Sequence, residues 1–355
     1  MRRVRPQSGS SSPGSSGPGR PLLVGVDIGG TKTAVLVVDR QGDVRAREVA
    51  PTAVGPQDDA AGFVAAVVER ALSTAGATID DVSAIGVGVP GRVDPLTGTV
   101  TLAVNLGWSD LPLGEELERR LGRPCLLEND VRAAVLGLHR RHVVGGLDDL
   151  AYVAVGTGVS AGVILGGQLH RGARGLAGEI GHVIAEPDGP RCSCGERGCL
   201  EALVAGPAIA RRAQEAVASG AATALSAIPE PTAAAVYEAV ITGDEVALRI
   251  ADEIGRRLAW AIHLLVMTYD VERVVLGGGV SHAGAAFLEP IQRELDRLRR
   301  TSALAREQLA PGIVELLPAD ADAGTWGAVT IAGLGRTGAE GGRATSDTNR
   351  GAGWA

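Results

Sequence analysis

Three cysteines and one histidine crowd into a short stretch of this chain. In "GEIGHVIAEPDGPRCSCGERGCLE" (178–201), Cys192, Cys194 and Cys199 lie 10, 12 and 17 residues after His182. One imidazole and three thiolates make a closed, four-coordinate zinc set with no position left for a reactant. Such clustering in a chain without a secretory leader favours a metal over disulfides. Glu179 and Glu201 flank the set, so bound zinc would fix two carboxylates along with its own loop. An imidazole that gives one nitrogen to zinc keeps an N–H on the other, a donor suited to a substrate hydroxyl.

Three further stretches suit an anion. Gly29-Gly30-Thr31, Gly156-Thr157-Gly158 and Gly277-Gly278-Gly279 each follow an apolar run. Glycine lets backbone N–H groups approach an anion, and a threonine hydroxyl adds a donor. None is a Walker A loop or a clean dinucleotide fingerprint. Each alone also reads as a hairpin turn; together they point to a nucleotide phosphate site. Asp27 precedes the first pair, placed either to hold Mg²⁺ through water or to cap the turn. Lys32 is the only lysine among 34 Lys plus Arg. A compact charge on a flexible stem suits a phosphate better than a planar guanidinium.

The elements that would position these residues follow from the apolar pattern. "PLLVGVDIGG" and "TKTAVLVVD" read as two strands joined by a glycine turn, ending at a turn over Asp39-Arg40-Gln41-Gly42. Apolar spacing predicts a helix over 58–76. "VSAIGVGVPG" is a strand, "PLGEELERRLG" a short helix with Gly122 beyond it, "PCLLEND" a strand, and "VRAAVLGLHRR" a helix that Asp130 is placed to cap. "LAYVAVGTGVSAGVILGGQL" then repeats strand, glycine turn, strand. Helices are predicted over 206–219 and 243–268, then the strand "VERVVLGGGV" and a final helix over 324–335. Alternating strands and helices argue an α/β fold, each half holding its own sheet with a cleft between.

At 355 residues the chain exceeds one ordinary core. Its net charge of −7 disfavours nucleic acid and anionic membranes as partners. There is no transmembrane-length apolar run and no apolar signal region, so the expected location is cytoplasmic. Residues 1–20 and 336–355 read as disordered tails from their Ser, Gly and Pro content.

Taken together, "DIGGTK" (27–32), "PGRVDPLTG" (90–98), "NLGW" (105–108), "LENDVRAA" (127–134), "GTG" (156–158), "GLAGEIGH" (175–182), "CSCGERGCLE" (192–201) and "LGGG" (276–279) resemble the ROK family in its sugar-kinase branch. They occur in family order over residues 22–335. The resemblance implies a two-lobed actin/hexokinase-type (ribonuclease H-like) duplicated fold with an interdomain cleft. The small lobe would be 21–140 joined by the final helix, and the large lobe 141–323 with the zinc loop at 171–201.

The resemblance also implies residue roles. Asp130 matches the catalytic base, while Asn129, Asp130, Glu179, His182 and Glu201 match sugar ligands. Asp27, Gly29, Gly30, Thr31 and Lys32 match the phosphate and metal end of the nucleotide site, with Thr157, Gly158, Gly278 and Gly279 as further nucleotide contacts. ATP, Mg²⁺ and structural Zn²⁺ are the implied cofactors, glucose the expected acceptor, and a homodimer or homotetramer the expected assembly. N-acetylglucosamine and N-acetylmannosamine kinases would share every residue named. The family's repressor branch carries a helix-turn-helix before the kinase-like region. Only about twenty Ser/Gly/Pro-rich residues precede the first strand here, so a DNA-binding regulator is not expected. Two stretches depart from the family pattern: Arg132 within "ENDVRAA", and Ser160-Ala161 where glycines are usual. Arg92 reads as a surface arginine or as a contact to a sugar substituent.

Overall fold

The computed structural model describes residues 21–341, apart from 53, 54, 56, 57 and 319. The expected tails at 1–20 and from 342 onward lie outside the described residues. Residues 336–341, read above as tail, instead continue the last helix to Gly341.

The first half opens with β1 (Leu22–Ile28), β2 (Lys32–Val38) and β3 (Val44–Pro51), followed by α1 (Ala60–Thr74) and β4 (Val82–Val89). A small antiparallel sheet follows: β5 (Arg92–Asp94), β6 (Thr99–Ala103) and β7 (Trp108–Leu111). Then come α2 (Leu113–Leu121), β8 (Cys125–Asn129) and α3 (Asp130–Arg140). Local chemistry explains the boundaries. Asp59 caps α1 by accepting from the Gly62 N–H. In α2, Glu115 and Glu116 open the helix and Arg119 and Arg120 close it, matching its dipole, before Gly122 turns left-handed.

The second half holds β9 (Leu150–Val155), β10 (Val159–Leu165), β11 (Gln168–Leu169), α4 (Leu200–Val204), α5 (Gly206–Ala218), α6 (Ala233–Ile241) and α7 (Glu245–Tyr269). It continues with β12 (Arg273–Gly277), α8 (Ala285–Thr301), α9 (Ala303–Gln308), β13 (Val314–Leu316) and α10 (Ala323–Gly341). Asp244 caps α7 with bonds from Val246 and Ala247, and the helix stops where Asp270 turns left-handed.

The internal similarity read in the sequence is a duplication of topology. One sheet runs β3-β2-β1-β4-β8 and the other β11-β10-β9-β12-β13. In each, a three-strand antiparallel meander is followed by two parallel strands. Each sheet has its own apolar core, one with α1 and α2, the other with α4 to α9. A third cluster joins α3 and α10 to β9, β10 and β12, so these two helices form the seam between the sheets. The seam is tight because it is lined with glycine. A side chain at Gly327 would collide with the Ala133 carbonyl, and one at Gly86 with the Ala328 carbonyl. The close approach brings the start of α10 to the ends of β1 and α3.

Candidate active site

The junction of β8 and α3 carries "END". Asn129, rather than Asp130, caps the helix: its Oδ1 accepts the Arg132 N–H at 3.0 Å. Asn129 Nδ2 donates to the Gly91 carbonyl at 3.0 Å and to Asp130 Oδ1 at 2.9 Å. The Asn129 amide is thus engaged inside the protein, and only a second lone pair on Oδ1 is left for a ligand. Asp130 occupies the first helical position, where its Oδ1 also accepts the Val131 N–H at 2.9 Å. Burial raises the Asp130 carboxyl to about 6; Glu179 pushes it up as well, while the N–H bonds and Arg132 pull it down.

Asp27 lies close by on β1. A Cβ added at Gly88 of β4 would sit 3.5 Å from Asp27 Oδ1 and 3.6 Å from the Asp130 Cα. Burial raises Asp27 to about 7, with further upward pushes from Asp130 and Asp322 and a downward pull from Lys32. Asp322, just before α10, carries no local mark in the sequence. It is held by Arg47 and the Thr325 hydroxyl. Gly324 lies against the Asp27 carboxylate, where any side chain would collide with it. The first glycine turn is closed by the Gly29 N–H to the Lys32 carbonyl at 2.8 Å, leaving Gly30, Thr31 and Lys32 exposed.

The second and third turns meet each other. A Cβ on Gly156 would be 3.6 Å from the Gly279 nitrogen. Thr157 is exposed, and Gly158 abuts the Glu201 carboxylate. Tyr152 on β9, 6% exposed, receives the Gly278 N–H, and the negative charges of Asp130 and Asp27 both act on its phenol. Tyr152 has no motif to mark it in the sequence.

The loop from 171 to 200 packs onto the second sheet. Gly178 has φ +95 and lies under the Ala161 backbone, so only glycine fits there. Its carbonyl accepts the Ala161 N–H at 2.8 Å and the Ser160 hydroxyl at 3.3 Å, so the serine at 160 adds a bond to the loop that a glycine there could not make. Glu179 is exposed next to it. Glu201 Oε2 accepts the Val159 N–H at 3.0 Å and Oε1 the Ser193 hydroxyl at 3.3 Å, tying the second glycine turn to the cysteine loop.

The donor atoms of His182, Cys192, Cys194 and Cys199 all lie within 4.8 Å of one another. Cys194 and Cys199 sulfurs are 3.7 Å apart, and Cys192 Sγ is 3.7 Å from His182 Nδ1. A tetrahedron with ~2.3 Å zinc–sulfur bonds has edges of about 3.8 Å, so the set fits zinc. The nitrogen turned to the thiols is Nδ1, which leaves Nε2 outside the cluster. Arg92 is exposed on the small sheet, and Arg132 is buried rather than free.

The ROK family profile matches residues 23–333. A glucokinase of Thermotoga maritima is 34% identical over 319 residues, 87% of this chain and 96% of that protein. An N-acetylmannosamine kinase of Escherichia fergusonii is 33% identical over 262 residues, 73% of this chain and 83% of that protein. A solved ROK hexokinase from Thermus thermophilus gives a TM-score of 0.71 at 33% identity, covering 89% of this chain and 99% of that one. A ROK family glucokinase from Streptomyces griseus, in complex with glucose and AMPPNP, also gives 0.71 at 33% identity, covering 88% and 99%. With the duplicated sheets, these structures bear out the two-lobed actin/hexokinase-type fold.

Proposed function

This chain belongs to the ROK family, and on that premise we propose that it is an ATP-dependent hexokinase-type sugar kinase acting on the 6-hydroxyl of glucose. The observation that carries the reading is Asp130. Its carboxyl is raised to about 6, with Asp27 across Gly88 on one side and the charge of Glu179 acting from another. A base with that value is ionised at neutral pH and still accepts a proton readily. We assign the small lobe to 21–140 with α10 folded back onto it, and the large lobe to 141–323.

In the transfer, Asp130 takes the proton of the attacking hydroxyl as that oxygen bonds the γ-phosphorus of ATP and ADP leaves in line. Asn129 orients Asp130. Glu179, Glu201 and His182 supply the acceptors and donors that a ring of hydroxyls requires. Gly30, Thr31, Lys32, Thr157, Gly158 and Gly279 offer N–H, hydroxyl and ammonium groups to the phosphates, while Gly29 and Gly278, whose N–H groups go to the Lys32 carbonyl and to Tyr152, shape the turns that present them. The uncompensated charge of Asp27 beside Asp322 suits a hard cation; Mg²⁺ there would neutralise charge on the phosphates. His182, Cys192, Cys194 and Cys199 would hold a structural zinc, and with it the loop bearing Glu179. Closure of the lobes would exclude water from the phosphoryl group.

A panel of sugars assayed with ATP and with polyphosphate tests the proposal. Glucose with ATP is expected to give the highest kcat/KM; no phosphorylation of any sugar would overturn it. The relative from Escherichia fergusonii supports a second reading, an N-acetylhexosamine kinase. A higher kcat/KM for N-acetylmannosamine or N-acetylglucosamine would establish that reading instead. No described helix is long and apolar enough to cross a membrane. A cytoplasmic location is proposed, where reducing conditions keep the cysteines available as metal ligands. A homodimer or homotetramer is supported by the exposed stripe of Trp260, Leu264 and Met267 along α7.

A further inference from the structure

Glu128 is the least exposed charged group beside the site, at 1%. It is the next-to-last residue of β8 in the first sheet and receives three donors. Its Oε1 accepts the Asn129 N–H at 3.0 Å and Arg132 Nε at 2.8 Å, and its Oε2 accepts Arg171 Nε at 2.6 Å. Arg132, 3% exposed, also donates through a terminal nitrogen to the Gly175 carbonyl at 2.6 Å. Arg171 and Gly175 belong to the segment that follows β11 in the second sheet. Two guanidinium groups and one carboxylate therefore join the sheets beside Asp130.

Stability alone does not account for such a group. Burying a carboxylate and a guanidinium costs several kcal/mol, and apolar replacements of buried pairs are often neutral or stabilising. What the arrangement supplies is geometry. The segment from 171 to 182 is held at one end by Arg171 and Gly175 and in the middle by Gly178 on β10. Glu179 is the next residue, and His182 follows. The other side of the same carboxylate fixes Asn129, which orients Asp130.

We propose that Glu128, Arg132 and Arg171 form an ionic bracket that sets the distance between the Asp130 junction and the loop bearing Glu179 and His182. They are positioning residues for the sugar site; this rests on the sugar-kinase reading above. The bracket also gives a purpose to Arg132, one of the two departures from the family pattern.

The test uses full-length Arg171→Met, Arg171→Lys and Glu128→Gln. The Arg171 side chain is 41% exposed, so its removal is compatible with folding. In Arg171→Met the sugar KM is expected to rise about ten-fold or more, since small misplacements are costly at a reacting centre. The nucleotide KM and the zinc content should stay within two-fold, and Arg171→Lys should recover part of the loss. Amide hydrogen exchange across 172–181 should quicken in Arg171→Met at unchanged global stability. An unchanged sugar KM in an active Arg171→Met enzyme would overturn the proposal, as would a lowered melting temperature with KM intact. Should the wild-type protein phosphorylate no sugar, the kinase reading fails by itself. The exchange measurement then still decides the bracket: unchanged rates across 172–181 in Arg171→Met would refute it.

Discussion

The charge of Asp130 raises the carboxyl of Asp27 across Gly88, the residue of β4 that lies between them. The proposed proton-accepting end and the proposed phosphate end of the site are thus one electrostatic unit. Changes to either carboxylate should be felt at the other.

Replacing Asp130 by Asn keeps the shape and removes the base. Turnover should fall by about 10³-fold or more, with zinc content retained and the melting temperature not lowered. Coupled assay of the sugar phosphate and metal analysis of the same preparation check this. Near-normal turnover would remove Asp130 from the chemistry.

The pH profile follows from the same group. Only ionised Asp130 accepts a proton, and its carboxyl is raised to about 6. Sugar kcat/KM should therefore fall as pH drops through about 6. Because Glu179 contributes to the rise, Glu179→Gln should move this acid limb to lower pH, besides weakening sugar binding. A limb that does not move would separate the two carboxylates.

Stability should depend on pH in the opposite sense to most carboxylates. Asp27 and Asp130 have ordinary values of 3.8 and are raised to about 7 and about 6 in the fold. Each binds its proton more tightly folded than unfolded, so their contribution is complete below about pH 4 and is lost as pH rises through about 6 and 7. In metal-free buffer at pH 8, Asp27→Asn should stabilise the protein, by at most on the order of 4 kcal/mol, while nucleotide-dependent turnover is lost. Thermal unfolding across pH 4–8 reads this directly; a melting temperature lowered by the substitution would contradict it.

Zinc removal should act on stability and sugar affinity together. Chelation, or Cys194→Ser, is expected to lower the melting temperature and raise the sugar KM about ten-fold or more, leaving the nucleotide KM less affected. A stripped enzyme with full activity and an unchanged transition would show that the loop holds without metal.

Lys32→Arg keeps the charge and changes its shape. The nucleotide KM or kcat should worsen by about ten-fold while the sugar KM stays constant. Equal effects on both substrates would place Lys32 in the turn's architecture instead of at the phosphates.

The features legible in the sequence are those whose parts lie close along the chain. The histidine and cysteine set spans His182 to Cys199, and the two hairpins announce themselves by apolar runs around glycine. What escapes is chemistry assembled over long separations. Asp322 reaches Asp27 from the far end of the chain because α10 folds back onto the first sheet. Glu128 meets Arg171 across 43 positions. The small sheet of β5 to β7 is built of strands of three to five residues, too short for a period to show. In α8, Pro290 interrupts the pattern; its ring packs on Gly255 of α7, where no side chain would fit beside it. The exchange of roles between Asn129 and Asp130 is a matter of one residue at a helix start, finer than pattern reading resolves.

The matching strand orders make the two halves a pseudo-symmetric pair, and the pair is equal in frame but not in charge. Asp27 pairs with Ala34, one step inside the pair that closes the first glycine turn. The equivalent step beside the second turn is Ala154 opposite Ser160. One copy carries an acid there and the other a methyl group. A cation would therefore be held from one side only, with the second copy contributing N–H groups. A polyanion lying between such halves would meet different chemistry at each, so the unequal copies would fix which of its ends faces which half.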